Sequence, residues 1–592
     1  MDDNRPDTGI RHGTAAPARP HSARAEAVGL LVLALAFVWT YRGLIGQDTT
    51  DHVPILTVAA DDSRPVGGFA ALVDQRFVVW LLSRNARTWL SSPTRLFEGE
   101  ICHPAPNGLA LGEPALTQGL LGVPGWLASH DPIFTYDSVV LAVTALAALA
   151  MYALMLGWTG MPIAATVAAL AYAFHPLKLM DPVHLYIADT AWLVFALLFY
   201  RRWLEAGRWR DALCLAGACA LQIGGSLYPL LAALAIGVPF AIWGAWRIGV
   251  RRTSLPQWLV VALLIGAAGF AAFAPFLAKV STGELAERSF QVFVPWTAMV
   301  SGNGPTLGWG LIALACAAFI PLSLPFRNRD GAPDPRWSLL AGLVVVLWLA
   351  TGGNQVALME AAAAEKPLPI AIPNLFSGLA SVLPGLGVVR APGAIAHGSY
   401  LVLALLAGLG TRRLLTWLPD RAASVLGWSL VAIMFVDILR PGLPGALPLS
   451  TWEFRPPEGK LAFFAELEAA GNAGPIVELP SPSRPHPVYG LSILTSAYHF
   501  RPTSRCHNSF VPPETLQAEE VSRELPSPDA IRALREMGFT TVVLHEDVLD
   551  PRAPDLRERF EEAAQEPGSG LRFVHRGGAL SAWGLDEPAA RD

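Results

Sequence analysis

The sequence predicts a mainly α fold: a polytopic bundle of about eleven transmembrane helices followed by a soluble α/β domain at the C-terminal end. Three observations carry this. Of the 592 residues, 53% are hydrophobic and 15% charged, where a soluble domain carries about 25% charged residues, so this much apolar surface needs lipid to face. The apolar residues fall in span-length runs up to about residue 440, and none follows from 450 onward. The 19 tryptophans suit a chain with many membrane–water interfaces. Other classes fall away. Five cysteines make no disulfide framework. A formal net charge of -5 argues against a nucleic-acid partner, whose binders usually carry a basic excess.

A basic tail over 1–26 precedes the first apolar run, 27–45. No small-x-small cleavage site follows it, so it reads as an uncleaved first helix and not as a signal peptide. Further cores lie at 138–156, 161–174, 188–200, 212–226, 230–246, 258–277, 307–325, 337–351, 397–410 and 425–439. Several are shorter than the roughly 20 residues a span needs and must extend into their flanks. The stretch 115–127 holds a proline and glycines and reads as an interfacial or re-entrant piece. Arginines precede the first span (Arg5, Arg11, Arg19, Arg24) and fill four loops: Arg201, Arg202, Arg208 and Arg210; Arg247, Arg251 and Arg252; Arg327, Arg329 and Arg336; Arg412, Arg413 and Arg421. With these spans all five clusters share one side, which the positive-inside rule makes the cytoplasm. An odd number of spans over 27–440 then puts 450–592 outside, together with long loops at 46–137, 279–305 and 352–396.

In the first loop, Phe77, Trp80, Leu81 and Trp89 alternate with Arg76, Arg84 and Arg87. That pattern suits a helix lying on the membrane surface, and equally a helix packed over the bundle. In the tail, 475–479 reads as a buried strand, 529–537 as a helix stopped by Gly538, and 540–545 as a β-branched strand. The runs 571–575 and 580–584 flank a Gly-Gly turn and read as a hairpin.

Ionisable residues near membrane depth are expensive and mark candidate sites. Asp74 opens the amphipathic stretch; it suits a general base or a metal ligand, and also an N-cap. Asp61 and Asp62 are an adjacent acidic pair. Glu98, Glu100, His103 and Glu113 follow; Glu113 precedes Pro114 and suits a functional acid or a helix cap, and His103 before Pro104 suits a turn. His175, Lys178, Asp181 and His184 form a dense polar loop between two spans, without the HExxH form of a zinc site. Arg390 is an arginine on the non-positive side, suited to clamp a phosphate or to anchor at a lipid headgroup. Cys102 and Cys506 are both exterior, where oxidation is open to them; Cys214, Cys219 and Cys316 lie in spans and pack as small apolar residues.

Several segments carry a resemblance: DQRFVVWLLSRNARTWLSSPTRLFEGEICHPAPNGLALGEPAL, AYAFHPLKLMDPVHLYIADTAWLVFALLFYRRWLEAG, LPGLGVVRAPG with its Arg390 and Pro392, and in the tail VELP, SAYHFRPTSRCHNSF and LREMGFTTVVLH. In this order, over most of the chain, they resemble the bacterial polytopic membrane proteins related to GT-C glycosyltransferases, the YfhO-like group among them. The resemblance implies a GT-C-like bundle in a bacterial cytoplasmic (inner) membrane, with a cytoplasmic N-terminus and a periplasmic or extracellular tail. It also implies an essential acid in the first exterior loop, best matched by Asp74 with Asp61 and Asp62 as rivals. The chain lacks the Asp-Glu pair just after the first helix, so a divalent metal stays an open question.

The activity the resemblance implies is hexosyl or pentosyl transfer from a polyprenyl-phosphate donor to an exterior glycan or lipid of the cell envelope. Asp74, Glu113 and His184 are the expected catalytic residues. Arg390, Lys178, Arg76, His103 and Asp181 are the expected substrate-binding ones. The competing expectation is a non-catalytic transport or scaffold protein, which scattered positions of Asp74, Glu113, His184 and Arg390 would favour.

Overall fold

The computed structural model describes residues 23–55, 68–179, 184–285, 291–295, 308–320, 334–363, 370–439, 449–481, 487–548 and 555–587. In chain order the body runs α1 (Ala23–Thr40), α2 (Gly68–Ser91), α3 (Leu116–Ser129), α4 (Pro132–Thr159), α5 (Pro162–Ala173), the single turns α6 (Pro176–Leu179) and α7 (Leu185–Ala188), α8 (Ala191–Ala206), α9 (Trp209–Ile223), α10 (Leu227–Arg247) and α11 (Leu255–Ser281). Helices Trp309–Ala317, Arg336–Thr351, His397–Leu415 and Asp420–Leu439 follow. Every expected core overlaps a described helix, and of the core at 307–325 residues 307 and 321–325 lie outside the described residues. Among the described residues, six helical stretches are long and apolar enough to cross a membrane: α1, α4, α10, α11, Arg336–Ala363 and Pro392–Leu415. The others are shorter or carry more charge. Helices α8 and α9 have 16 and 15 residues, and α5 has 12.

The helix ends are written in the sequence. Asp131 accepts from Ile133 N and Phe134 N and opens α4, with Pro132 in its first turn. Gly160, at φ 60°, closes it in the left-handed region. Ser254 and Gln257 form a reciprocal capping box at the start of α11. In the centre of the body, small residues let backbones approach, as they do in membrane bundles generally. Helix α5 is buried from Ala164 to Ala173 and packs between α4 and His397–Leu415. A Cβ at Gly410 would overlap the Leu314 carbonyl oxygen, so that crossing of two helices requires glycine.

Helix α2 packs against α3, α4 and the tail helix Pro487–His499. Val78, Val79, Trp80, Leu81 and Leu82 are fully buried, which makes it a packing helix and not one lying on a membrane surface. Helix α3, with Pro124 inside it, packs against both α2 and α4.

The tail holds a four-stranded mixed sheet in the spatial order 476–479, 541–545, 580–585, 571–577. Strands β3 (Ile476–Leu479) and β4 (Thr541–His545) are parallel, joined through helices Pro487–His499, Pro513–Ser522 and Pro528–Glu536. Strands β5 (Leu571–Gly577) and β6 (Leu580–Leu585) form the expected hairpin. Its turn is Gly578-Ala579, both at positive φ, one residue later than the Gly-Gly pair suggests. Gly538 ends the Pro528–Glu536 helix at φ 91°. Two connections carry no local signal in the sequence. Strand β1 (His52–Ile55) of the first loop pairs antiparallel with β2 (Ser450–Glu453) at the start of the tail. Cys102 and Cys506 form a disulfide across a sequence separation of 404.

The disulfide closes a very long loop, so it stabilises chiefly by restricting the unfolded chain. Replacing both cysteines with serine is expected to cost about 2–5 kcal/mol. A lowered melting midpoint of the detergent-solubilised chain under non-reducing conditions checks this, and an unchanged midpoint contradicts it.

Candidate functional site

The site is built around Asp74, on α2, two turns from the helix start. Two imidazoles reach it. Nε2 of His507, from the tail, donates to Asp74 Oδ1 at 2.7 Å. Nε2 of His184 stands 3.4 Å from Oδ2. His184 sits at the start of the single turn α7, with its ring edge-on to Tyr186. His507 is edge-on to Phe77, one helical turn after Asp74 on the same face, and to Tyr489 of the tail. The three side chains are 35%, 31% and 28% exposed, so the group is held on its sides and open to a reactant.

Burial alone would raise the Asp74 carboxyl. The hydrogen bonds and charges of His184 and His507 outweigh that and hold it well below the usual carboxylate range. Because the folded-state value is depressed, the ionised carboxylate stabilises the folded chain above the ordinary carboxylate range. That contribution is lost as pH falls below it.

The other expected residues are distributed differently. Glu113 is half-buried and accepts from Leu227 N at 3.0 Å, capping the start of α10. Burial raises its carboxyl, partly opposed by bonds from Ser226 and Leu227. It lines a small cavity of about 50 Å³ with Phe97, Ser226, Phe273 and Phe276. Lys178 is buried, with Nζ 3.9 Å from the Tyr172 ring centroid; burial pulls its ammonium down to about 8, and the charge of Asp189 partly opposes this. Arg76, two residues after Asp74, lies over the Phe454 ring at 5.4 Å. Its guanidinium is pulled down by burial. His103 packs edge-on against Phe539 of the tail at 4.8 Å. Arg390 is exposed, on a turn whose carbonyl accepts from Val292 N. Asp181, Asp61 and Asp62 lie outside the described residues. Thus Asp74 and His184 meet, while Glu113, His103 and Arg390 make their contacts elsewhere. His507 was missed; its one signal was its place beside Cys506, in the segment SRCHNSF.

Among the described residues, no group of three or more His, Cys, Asp and Glu side chains has the arrangement of a metal site. A larger, apolar cavity of about 340 Å³ lies among α8, α9, α10 and α11, lined by Leu193, Tyr200, Leu234, Val238, Phe240 and Val261 among others. Gln222, a polar residue on its wall, donates to the carbonyl of Asp189, one residue beyond the end of α7.

The fold of the helical body with its mixed-sheet tail has neighbours among solved structures. The chain is similar to the arabinofuranosyltransferase AftD from mycobacteria, with a TM-score of 0.54 and 16% identity over 95% of this chain and 40% of that one. It is similar to a mutant form of the same enzyme with a TM-score of 0.50 and 17% identity, over 96% and 42% of the two chains. ArnT from Cupriavidus metallidurans in the apo state aligns over 96% of this chain and 100% of its own, at a TM-score of 0.41 and 12% identity. The chain spans less than half the length of AftD, and at these identities the likeness shows the fold. No protein-family model and no curated protein matches the chain.

The cap geometry separates two roles for Glu113. Glu113→Gln retains an acceptor for Leu227 N and is expected to leave the melting midpoint nearly unchanged. Glu113→Ala removes it and is expected to cost about 0.5–2 kcal/mol. Equal midpoints for both variants in a thermal melt would show that the cap contributes nothing.

Proposed function

We propose that the chain transfers a sugar from a polyprenyl-phosphate donor to an acceptor hydroxyl on the outer side of a bacterial cytoplasmic membrane. The observation that carries this is a part-exposed, ionised carboxylate held between two imidazoles, on a helical body whose fold is similar to that of AftD. The positive-inside rule, applied to the arginine-rich loops, supports an exterior Asp74. The Cys102–Cys506 disulfide supports that side, because disulfides persist in oxidising compartments. Nucleotide sugars do not reach that side, and a lipid-linked donor does. The apolar cavity among α8–α11 has the lining a hydrocarbon chain needs.

In the proposed reaction Asp74 accepts the proton of the acceptor hydroxyl, whose oxygen forms a bond to the anomeric carbon of the donor sugar. The bond from that carbon to the phosphate oxygen breaks, and its electron pair leaves with the lipid phosphate. His184 and His507 hold the base in place and keep it ionised. Lys178, buried in the segment before His184, is the cation of this scheme that meets the phosphate charge. A hexose or pentose donor and a glycan or lipid acceptor of the cell envelope fit this scheme equally.

One observation favours a second reading, a non-catalytic scaffold or transport factor: Glu113 and Arg390 make their contacts away from Asp74. Lipid-linked glycan profiles separate the two. The Asp74→Asn strain is expected to accumulate the same donor as a deletion strain, with transfer reduced about 10²–10⁴-fold and the protein still expressed. A wild-type profile in Asp74→Asn would support the scaffold. The pH dependence has a definite sign. Asp74 works as a base only when ionised, so the acid limb of activity lies below the ordinary carboxylate value of about 4. Replacing His184 and His507 with alanine leaves burial unopposed and is expected to move that limb to higher pH in a rate–pH profile.

A further inference from the structure

The tail and the first loop are joined by a segment that ends on Asp74. Residues 502–508 lie between two neighbours and bond to both. On the tail side, Ile476 N donates to Pro502 O at 2.8 Å and Ser504 N to Ile476 O at 3.0 Å. On the loop side, Thr503 N donates to Glu100 O at 2.7 Å, His103 N to Thr503 O at 3.0 Å, and Cys102 N to Arg505 O at 2.7 Å. The segment is a strap bonded along both edges. Cys506, bonded to Cys102, comes one residue before His507.

Glu478 of β3 pins this strap from inside the tail. Its side chain is 1% exposed. Thr503 Oγ1 donates to its Oε1 at 2.6 Å, and His545 Nε2 donates to its Oε2 at 2.7 Å. Arg505 Nε stands 3.8 Å from Oε2, and Glu478 N donates to Ser504 Oγ at 3.2 Å. An isolated carboxylate does not stay charged at this depth. Here the bonds from His545 and Thr503 and the charge of Arg505 outweigh burial and keep it ionised. Three successive strap residues, Thr503, Ser504 and Arg505, thus take their places from one buried residue. The disulfide cannot replace this. It fixes the Cβ of Cys506, while the backbone torsions that aim His507 follow from the hydrogen bonds before it and from Asn508 Nδ2, which donates to Gly108 O at 2.6 Å.

We propose that Glu478 and Thr503 are positioning residues: through the strap they hold the His507 imidazole on the Asp74 carboxylate, so that the tail completes the site. Neither touches Asp74. The consequence for turnover rests on the reading of Asp74 as the base; the placement of His507 does not.

Diethyl pyrocarbonate labelling of the full chain in detergent micelles, read peptide by peptide by mass spectrometry, reports whether Nε2 of His507 is engaged. His507 is expected to label slowly in the wild-type chain and about tenfold faster in Asp74→Asn, the size of effect a charge-assisted hydrogen bond gives. Glu478→Gln and Thr503→Val are expected to label as fast as Asp74→Asn, with His575 as an unchanged internal reference and the disulfide intact. Thr503→Val conserves shape and keeps the test open if Glu478→Gln does not fold. Thr503→Ser restores the hydroxyl and is expected to return the wild-type rate, which general loosening of the tail would not. Wild-type labelling of His507 in folded Thr503→Val, or in Asp74→Asn, overturns the proposal. Because no substrate is used, this outcome is distinguishable from the failure of Asp74→Asn to block transfer, which bears on the base alone.

Discussion

The Asp74 carboxylate accepts from an imidazole that lies 433 residues away in sequence, and it stays charged in a half-buried place because that imidazole and His184 are there. Much of the architecture at this end serves that contact. The ribbon of β1 and β2 seats the start of the tail on the first loop, the disulfide fixes its middle, and helix Pro487–His499 covers α2. Helix α2 is buried on one side by α3 and α4 and on the other by the tail, which fixes the direction in which Asp74 points. Asp74 itself stays accessible, its side chain 35% exposed.

The membrane body follows a different logic. Apolar runs mark where helices lie, because lipid selects composition by length. Inside the bundle a helix need not be long or strongly apolar, since it faces other helices. Helix α5, rich in alanine, buries 11 of its 12 residues, and α11 buries three of its 27. This is why eleven cores could be placed on helices, while six alone meet a length and hydropathy standard among the described residues.

Local signals were legible in the sequence, and long-range ones were not. The strand at 540–545, the stop at Gly538 and the 571–584 hairpin depend on near neighbours, and the turn slipped by a single residue because Ala579 takes a left-handed conformation. Asp74 and His184 could be singled out because each is an ionisable residue in an otherwise apolar setting. That they meet could not be read, and His507 had no such contrast within a polar tail. Glu113 and His103 carry the same residue chemistry as a site, and their places were decided by packing: one caps α10, the other lies against Phe539. Cys102 and Cys506 were visible as exterior cysteines, and their pairing is a property of the fold.

The proposed transfer works through Asp74 on a lipid-linked sugar. The most direct measurement is release of polyprenyl phosphate from labelled polyprenyl-phosphate pentose or hexose donors by the purified chain in liposomes, with a soluble glycan acceptor on the side of the tail. Release is expected to need both acceptor and Asp74. Release that continues undiminished with asparagine at that position, or no release from any donor of this class, would contradict it.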